Sequence, residues 1–210
     1  MKSILVAEDH PLVLLGIQQS LTDLIPGVTI AKADNFNRVL KALENQKFDM
    51  IIMDINMPGG DNVGMLDTVR MKQPGIPILI CSSYDEQLYA LPYLKAGANG
   101  YISKTAPDAD FKMAVENVLN AKIYVSASVQ QNAFELLFNP NNERPNSIFK
   151  LSDKELEIAK LLCKGLTTKS ISEIVHLSTP SVSNYKAKIF DKLGVNNVIE
   201  LSTYFGLNEC

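Results

Sequence analysis

Short apolar segments alternate with amphipathic segments through the first half of the chain. Strands that recur in this way predict a parallel sheet, because the segments between parallel strands form helices that cover both of its faces. We therefore expect one doubly wound α/β domain over residues 1–122, built on a five-stranded parallel sheet. Its predicted strands are residues 2–7, 28–33, 48–53, 77–81 and 100–103.

In the segments between these strands, apolar residues recur at helical spacing, which predicts helices there. The interval at residues 84–96 differs, because it contains Pro92 and an interior proline lacks the N–H that a helix needs. A short helix that begins near Leu91 is expected there. The other predicted helices are residues 12–24, 35–45, 63–72 and 108–121.

The pattern changes between residues 123 and 150. Residues 125–138 keep a helical period and predict a further short helix, whereas residues 139–146 are polar, contain prolines and have no period. A loop of this length is unusual inside one domain. Residues 123–150 are therefore expected to form a short helix and a linker.

Residues 151–210 predict a small all-α domain. Ser152 with Glu155 three positions later is a capping-box pattern, and Gly165 ends the helix that follows. Further helices are predicted over residues 168–175, 179–193 and 196–205. Short helices that turn tightly into a longer one are typical of a helix-turn-helix, whose second helix enters the major groove of DNA.

The longest helix of this domain carries two different faces. It begins at Thr179 and Pro180, which predict an N-cap and a first helical residue. Val182, Ile189 and Leu193 form its apolar stripe. The polar face is either a solvated surface or a DNA contact, since asparagine pairs with adenine and lysine suits phosphate. Its candidate DNA-binding residues are Ser181, Ser183, Asn184, Lys186, Ala187 and Lys188.

Composition narrows the class of protein. The chain is 46% hydrophobic and 20% charged, which is typical of a soluble globular protein, and no apolar run reaches the length of a membrane span. We expect a cytoplasmic protein with no membrane contact. The net charge of −3 does not indicate a protein that attracts nucleic acid through its overall charge, so any DNA binding must come from a local surface. Two histidines, His10 and His176, are too few to build a histidine metal site.

Reactive side chains follow four of the five predicted strands. Asp54 ends a buried run and precedes Pro58 and two glycines, so alone it is either a turn residue or a site residue. Because the carboxyl ends of parallel strands meet at one edge, matching residues from the other strands favour a site. The set is Glu8, Asp9, Asp54, Ser82 and Lys104.

These residue types suit the transfer of a phosphoryl group. Crowded carboxylates repel one another, and a hard divalent cation such as Mg²⁺ relieves that repulsion. Asp54 can then attack phosphorus as a nucleophile, while the metal and Lys104 offset the charge on the phosphoryl oxygens. Ser82 supplies a hydroxyl donor to the same oxygens.

Residues 1–122 resemble the receiver domains of two-component response regulators. The resemblance lies in Glu8-Asp9, Asp54 with Met57-Pro58-Gly59, Ser82, and the run from Gly97 to Lys104. It implies a flavodoxin-like fold, Asp54 as phosphoacceptor, and Ser82 and Lys104 as phosphoryl contacts. The implied Mg²⁺ ligands are Glu8, Asp9, Asp54 and the main-chain carbonyl of Asn56. Tyr101 matches the aromatic residue that switches with Ser82, and Thr105 stands where the family often has a cis proline.

Residues 151–205 are similar to the LuxR-type helix-turn-helix of the NarL/FixJ class. The similarity includes Leu151-Ser152, Gly165, Leu177-Ser178 and Lys192-Leu193-Gly194-Val195. Ser183, Tyr185 and Ala187 depart from the family's usual residues, so its usual DNA sequence preference is not carried over. A domain without net positive charge predicts weak binding by a monomer, which pairing of two copies on two half-sites would strengthen.

Together the two resemblances imply a transcription regulator that is not an enzyme. A sensor histidine kinase would phosphorylate Asp54, and the phosphorylated homodimer would bind double-stranded DNA. Two alternatives stay open. One is a phosphatase with an aspartyl-phosphate intermediate, although Asn56 stands where such enzymes carry a second Asp. The other is a DNA-binding regulator that works without phosphorylation.

Overall fold

The computed structural model of the protein describes residues 1–60, 64–138 and 151–205. The chain forms two compact units, Met1–Ala133 and Phe134–Cys210. The start of the helix predicted at residue 63 and the linker predicted within residues 139–150 lie outside the described residues.

A five-stranded parallel sheet forms the centre of the first unit, in the order β2-β1-β3-β4-β5. The predicted doubly wound sheet is therefore confirmed. Strands β3 and β4 at the centre of the sheet are fully buried, as their unbroken apolar runs require when helices cover both faces. The strands are β1 (Ser3–Ala7), β2 (Thr29–Ala33), β3 (Met50–Met53), β4 (Ile78–Ser82) and β5 (Gly100–Ser103).

Helices pack on both faces of this sheet. On one face, Ile17 and Leu21 of the first helix and Phe111 and Val115 of the fifth join the apolar side chains of the strands in one core. Proline at the first position of the first helix costs no hydrogen bond there. The helices are α1 (Pro11–Leu24), α2 (Phe36–Asn45), α3 (Gly64–Lys72), α4 (Glu86–Lys95) and α5 (Asp108–Leu119).

The prediction of a short helix near Leu91 is wrong. Helix α4 begins at Glu86 and continues through Pro92 to Lys95. The carboxylate of Asp85 caps its first turn by accepting from the Gln87 N–H at 2.9 Å. Burial of the side chains on either side of the proline holds the second turn in place, so tertiary packing outweighs the hydrogen bond that proline removes.

The second unit contains α7 (Asp153–Cys163), α8 (Thr168–Ile174), α9 (Thr179–Leu193) and α10 (Val198–Tyr204). Both hydrogen bonds of the predicted capping box between Ser152 and Glu155 are present. The N-cap of α9 is Ser178 and not Thr179 as predicted, because the Ser178 hydroxyl accepts from the Ser181 N–H at 3.3 Å. Gly194 ends α9 in the left-handed region, with φ of 65°.

Candidate functional site

The carboxyl edge of the sheet brings together residues that follow three different strands. Hydrogen bonding continues one residue beyond the strand ends: Asp54 N–H donates to Ala7 O at 2.9 Å, and Lys104 N–H donates to Ser82 O at 2.8 Å. This register places Glu8 level with Asp54 and places Lys104 two residues further along the same edge of the sheet. The loops that leave this edge diverge, which is why ligands of open α/β sheets bind there.

Lys104 joins two buried carboxylates. Its ammonium donates to Glu8 Oε1 at 2.9 Å and to Asp54 Oδ2 at 3.0 Å. The side chains of Lys104, Glu8 and Asp54 are 8%, 1% and 3% exposed, so these contacts are hardly screened by water.

Burial and charge shift the pKa values of this pair. Burial raises the pKa of Asp54, and the nearby charge of Lys104 opposes that rise without cancelling it. For Lys104, burial acts to lower the pKa, but its hydrogen bond to Glu8 and the charge of Asp54 outweigh burial and raise it. Lys104 therefore stays charged beside the two acids.

Asp9 and His10 complete the acidic pocket. The His10 Nδ1 atom lies 2.9 Å from Glu8 Oε1 and 2.9 Å from Asp9 Oδ1. The His10 N–H also donates to Glu8 Oε1 at 3.0 Å. We predicted no histidine metal site, yet His10 offers a ligand atom within 4.8 Å of those of Glu8, Asp9 and Asp54. Its position directly after the acid pair was the signal in the sequence.

The oxygen atoms of this pocket fit a hard divalent cation. Glu8 Oε2 and Asp9 Oδ1 are buried and accept no hydrogen bond from the described part of the chain. They lie 2.7 Å from Lys104 Nζ and 2.9 Å from His10 Nδ1, but neither contact has hydrogen-bond geometry. Buried carboxylate oxygens without a donor are suitable ligands for Mg²⁺, which prefers oxygen.

Asn56 lies in the loop that follows β3. Its side chain is exposed, and its backbone N–H acts to lower the pKa of Asp54, although burial of the carboxyl group outweighs that effect. The N–H therefore favours the charged form of the carboxylate at the centre of the site. The Lys104–Thr105 peptide bond on the opposite side of the pocket is trans.

Ser82 and Tyr101 are both buried, and both contact the backbone of Tyr84. The Ser82 Oγ atom accepts from the Tyr84 N–H at 3.2 Å, and the Tyr101 hydroxyl donates to Tyr84 O at 3.0 Å. Burial raises the pKa of the Tyr101 phenol, which therefore stays protonated as a donor. Sequence reasoning missed Tyr84, because its contribution comes from its peptide groups and not from its side chain.

Helix α9 presents the predicted polar face in the second unit. Val182, Ile189 and Leu193 are fully buried, as the apolar stripe predicted. On the opposite face Ser183, Asn184, Ala187 and Lys188 are exposed, whereas Ser181 and Lys186 are half-buried.

Two of these polar side chains already have intramolecular partners. The Ser181 hydroxyl lies 2.8 Å from that of Ser178, and the Lys186 ammonium lies 5.4 Å from the centre of the Phe190 ring. Tyr185, which was not among the predicted contacts, shares a shallow depression with Ser181, Asn184 and Lys188. Asn184 and Lys188 are the members of the set best placed to reach a ligand on this face.

Contacts between helices hold α9 in the second unit. The Lys192 ammonium donates to Glu155 Oε2 at 2.7 Å, and the Ser172 and Thr179 hydroxyls lie 3.2 Å apart. Burial acts to raise the pKa of Glu155, but its hydrogen bonds to Lys192 and to Ser152 outweigh that effect and lower the pKa. The three helices α7, α8 and α9 thus pack against one another and hold the exposed face of α9 in its orientation.

Two protein families match separate parts of the chain. Residues 4–116 match the response regulator receiver domain, and residues 150–205 match the bacterial regulatory proteins of the luxR family. The first match covers more than half of the chain. The protein therefore belongs to the response regulators and combines a receiver domain with a LuxR-type DNA-binding domain.

Proteins similar along their whole length support this assignment. The response regulator GacA of Pseudomonas aeruginosa is 30% identical over 205 residues, which cover 96% of this chain and 94% of GacA. The oxygen regulatory protein NreC of Staphylococcus aureus is 32% identical over 207 residues, which cover 96% of this chain and 95% of NreC.

A solved structure shares the fold. RcsB of Salmonella enterica serovar Typhimurium, bound to the promoter P1flhDC with the phosphomimetic BeF₃⁻, aligns with a TM-score of 0.70 at 23% identity over 97% of both chains. Among the helices described for the present chain, none is long and apolar enough to cross a membrane.

Proposed function

We propose that Asp54 is the phosphoacceptor of a two-component system and that its phosphorylation controls DNA binding. The observation that carries this proposal is the buried contact of Lys104 with both Asp54 and Glu8. A fixed cation beside an aspartate at the edge of a parallel sheet is suited to stabilising negative charge that develops on a transferred phosphoryl group.

The transfer involves one bond made and one broken. An Asp54 carboxylate oxygen attacks the phosphorus of a phosphohistidine on a sensor kinase, the P–N bond breaks, and the imidazole leaves. Glu8, Asp9 and Asp54, together with the carbonyl of Asn56, would hold Mg²⁺, which supplies charge neutralisation when bound. Lys104 would pair with a phosphoryl oxygen, and Ser82 would donate its hydroxyl to another.

The second half of the function is binding of double-stranded DNA by α9. The exposed side chains of Asn184 and Lys188 support this proposal, with Ser181, Ser183, Lys186 and Ala187 around them. RcsB has been solved as dimers bound to DNA, which supports a homodimer here once Asp54 is phosphorylated. We place the protein in the cytoplasm, where it would meet the kinase and the promoter.

The same proposal divides the chain into a receiver domain at residues 1–122, a short helix and linker at 123–150, and a DNA-binding domain at 151–210. The relatives are regulatory proteins, and we propose that this chain likewise has no enzymatic turnover of its own. Asn56 supports this, since a phosphatase with an aspartyl-phosphate intermediate would use an acid at that position.

The test is phosphorylation of the full chain by a small phosphodonor with Mg²⁺. The wild type should gain the mass of one phosphoryl group and sediment as a dimer, whereas Asp54→Asn should do neither. Asp67→Asn is a matched control, because it removes an exposed carboxylate from helix α3. Loss of modification in both variants, or in neither, would contradict Asp54 as the acceptor. Steady release of phosphate from a phosphomonoester would revive the phosphatase alternative.

A further inference from the structure

The first turns of helices α4 and α6 are joined by side-chain hydrogen bonds. Helix α6 spans Ala127–Phe138 and follows the receiver strands in the chain. Glu86 Oε1 accepts from the Ser126 hydroxyl at 2.5 Å and from the Ser128 hydroxyl at 3.1 Å. One turn further on, Asn132 Nδ2 donates to Gln87 Oε1 at 2.7 Å. We refer to Glu86, Gln87, Ser126, Ser128 and Asn132 as the α4–α6 latch.

The segment that leads into α6 is also attached to the edge of the sheet. The Tyr124 N–H donates to Asn99 O at 3.0 Å, and the Tyr101 N–H donates to Tyr124 O at 3.0 Å. Gly100 allows this approach, because a Cβ atom there would meet Leu79, Val118 and the Tyr124 carbonyl within 3.1 Å. The start of α6 is thus held on one side by β5 and on the other by α4.

Tyr101 and Tyr84 connect the phosphorylation site to these attachments. Tyr101 contacts the α6 segment through its N–H and the Tyr84 carbonyl through its hydroxyl. The Tyr84 N–H in turn donates to the Ser82 hydroxyl at 3.2 Å. Tyr84 is followed directly by Asp85, the N-cap of α4, and by the latch residue Glu86. Hydrogen bonds therefore connect Ser82, through Tyr84 and Tyr101, to Tyr124 in the segment that leads into α6.

We propose that the α4–α6 latch is closed while Asp54 is unphosphorylated and that phosphorylation opens it. The proposal rests on the proposed function, because it requires Ser82 to turn toward a phosphoryl group on Asp54. When the Ser82 hydroxyl turns, it gives up the Tyr84 N–H, and the peptide that precedes the α4 N-cap must find a new partner.

The position of the latch makes it sensitive to this change. Hydrogen bonds weaken steeply with distance and angle, so a small displacement of the first α4 turn is enough to separate Glu86 from the two serines. Glu86 and Gln87 are half-buried and Ser128 is exposed, so water can replace the lost bonds. Such a contact can switch, whereas a fully buried one would resist opening.

The consequence for the whole chain follows from connectivity. Among the described elements, helix α6 is the last before the DNA-binding domain. Its release changes the length of free chain between the two domains, which alters the effective concentration of one domain near the other. Phosphorylation would in this way reach the DNA-binding domain through α6 itself.

Hydrogen exchange of the full chain, measured with and without phosphodonor, tests the latch. Glu86→Ala removes the shared acceptor, and Glu116→Ala, at an exposed position of α5, is a matched control of equal charge change. Without phosphodonor, amides of residues 127–133 should exchange roughly tenfold faster in Glu86→Ala than in wild type, as expected for the loss of hydrogen bonds to a charged acceptor. Glu116→Ala should exchange like wild type.

Phosphodonor should accelerate the same amides in wild type and should have no effect in Asp54→Asn or on the already open Glu86→Ala. Unchanged exchange in Glu86→Ala would show that the latch does not hold α6. A wild type that gains one phosphoryl group without faster exchange of residues 127–133 would overturn the coupling and leave the proposed function intact. Absence of the mass gain would contradict the proposed function, while the Glu86→Ala comparison would still decide whether the latch exists.

Discussion

The ammonium of Lys104 lies 3.0 Å from Oδ2 of Asp54, although the two residues are 50 positions apart in the chain. Each follows a parallel strand, β5 for Lys104 and β3 for Asp54, with β4 between those two strands. The contact therefore spans two strand spacings, a distance of about 9 to 10 Å across the sheet, which the long lysine side chain covers. Lysine reaches across the site from one rigid element to another.

Replacement of Lys104 by methionine should slow phosphorylation of Asp54 strongly. Methionine keeps much of the length and volume but removes the charge, and the loss of one preorganised donor at a developing charge typically costs about 100-fold or more in rate. The rate of modification by a small phosphodonor, with Mg²⁺ present, measures this. Lys72→Met is the matched control, because Lys72 makes an exposed ion pair with Glu44. A rate within about threefold of wild type would contradict a role for Lys104 in the transfer.

The same substitution should lower stability in the absence of Mg²⁺. Glu8 and Asp54 would be left buried without their cation, which costs on the order of 3 kcal/mol at neutral pH. Without Lys104 to oppose burial, the pKa of Asp54 rises further in the folded state, so the folded protein takes up a proton there before the unfolded one does. The loss of stability in Lys104→Met should therefore grow as pH rises and shrink as pH falls. Urea unfolding of wild type and of Lys104→Met at several pH values measures this loss. A loss that stays the same at every pH would contradict the reasoning.

Glycine substitutions should test the close packing at β5. Gly100→Ala should destabilise the protein by about 1 to 3 kcal/mol, because the added methyl group meets two core side chains and the Tyr124 carbonyl. Gly16→Ala is the control, and it should stabilise the protein instead. Its Cβ would meet no described atom within 4 Å, and alanine favours the helix by about 0.5 to 1 kcal/mol. Thermal unfolding of the two variants should move in opposite directions, and a neutral Gly100→Ala would show that Tyr124 is not held as described.

The sheet and its site could be predicted because their signals are local and independent. Uninterrupted apolar runs identified the buried strands, and the residue after each run identified the edge where Glu8, Asp54 and Lys104 meet. Parallel pairing then needs no further information, since it brings all carboxyl ends to one side. The apolar stripe of α9 was predictable for the same reason, because its apolar residues recur in the sequence with the helical period of 3.6 residues.

The features that could not be predicted depend on tertiary contacts. Pro92 argued against a long α4, and only the capping by Asp85 and the burial of neighbouring side chains show why the helix persists. The latch is likewise hidden, since Glu86 and Ser126 are ordinary polar residues 40 positions apart. We did not predict His10 as a metal ligand, because the chain has few histidines. Its place in the sequence directly after Glu8 and Asp9, and not the number of histidines, brings it beside the acid pair.

Neutralising Glu155 should weaken the DNA-binding unit in a manner that depends on pH. Its lowered pKa means that the charged form stabilises the folded state above the ordinary value of 4.5 and that this stabilisation is lost as pH falls through the folded pKa. Glu155→Gln should therefore speed hydrogen exchange of the α7 and α9 amides at neutral pH and differ less from wild type in acid. Glu157→Gln, on the same helix, removes only an exposed contact with Lys154. Equal effects of both substitutions would contradict a structural role for the Glu155–Lys192 pair.

Asn184 and Lys188 should contribute to DNA binding in different ways. Lys188→Ala should weaken binding of the phosphorylated full chain by a similar factor for all sequences and should reduce the slope of log affinity against log salt by about one per site, because lysine neutralises a phosphate. Asn184→Ala should instead lose about 1 to 3 kcal/mol of discrimination at one base pair, since a bidentate contact with adenine would be lost. Selection of bound sequences from a random pool, followed by salt titration, separates the two effects. Lys164→Ala, outside α9, is the control for charge alone, and a slope change equal to that of Lys188→Ala would mean that binding responds to net charge and not to the α9 face.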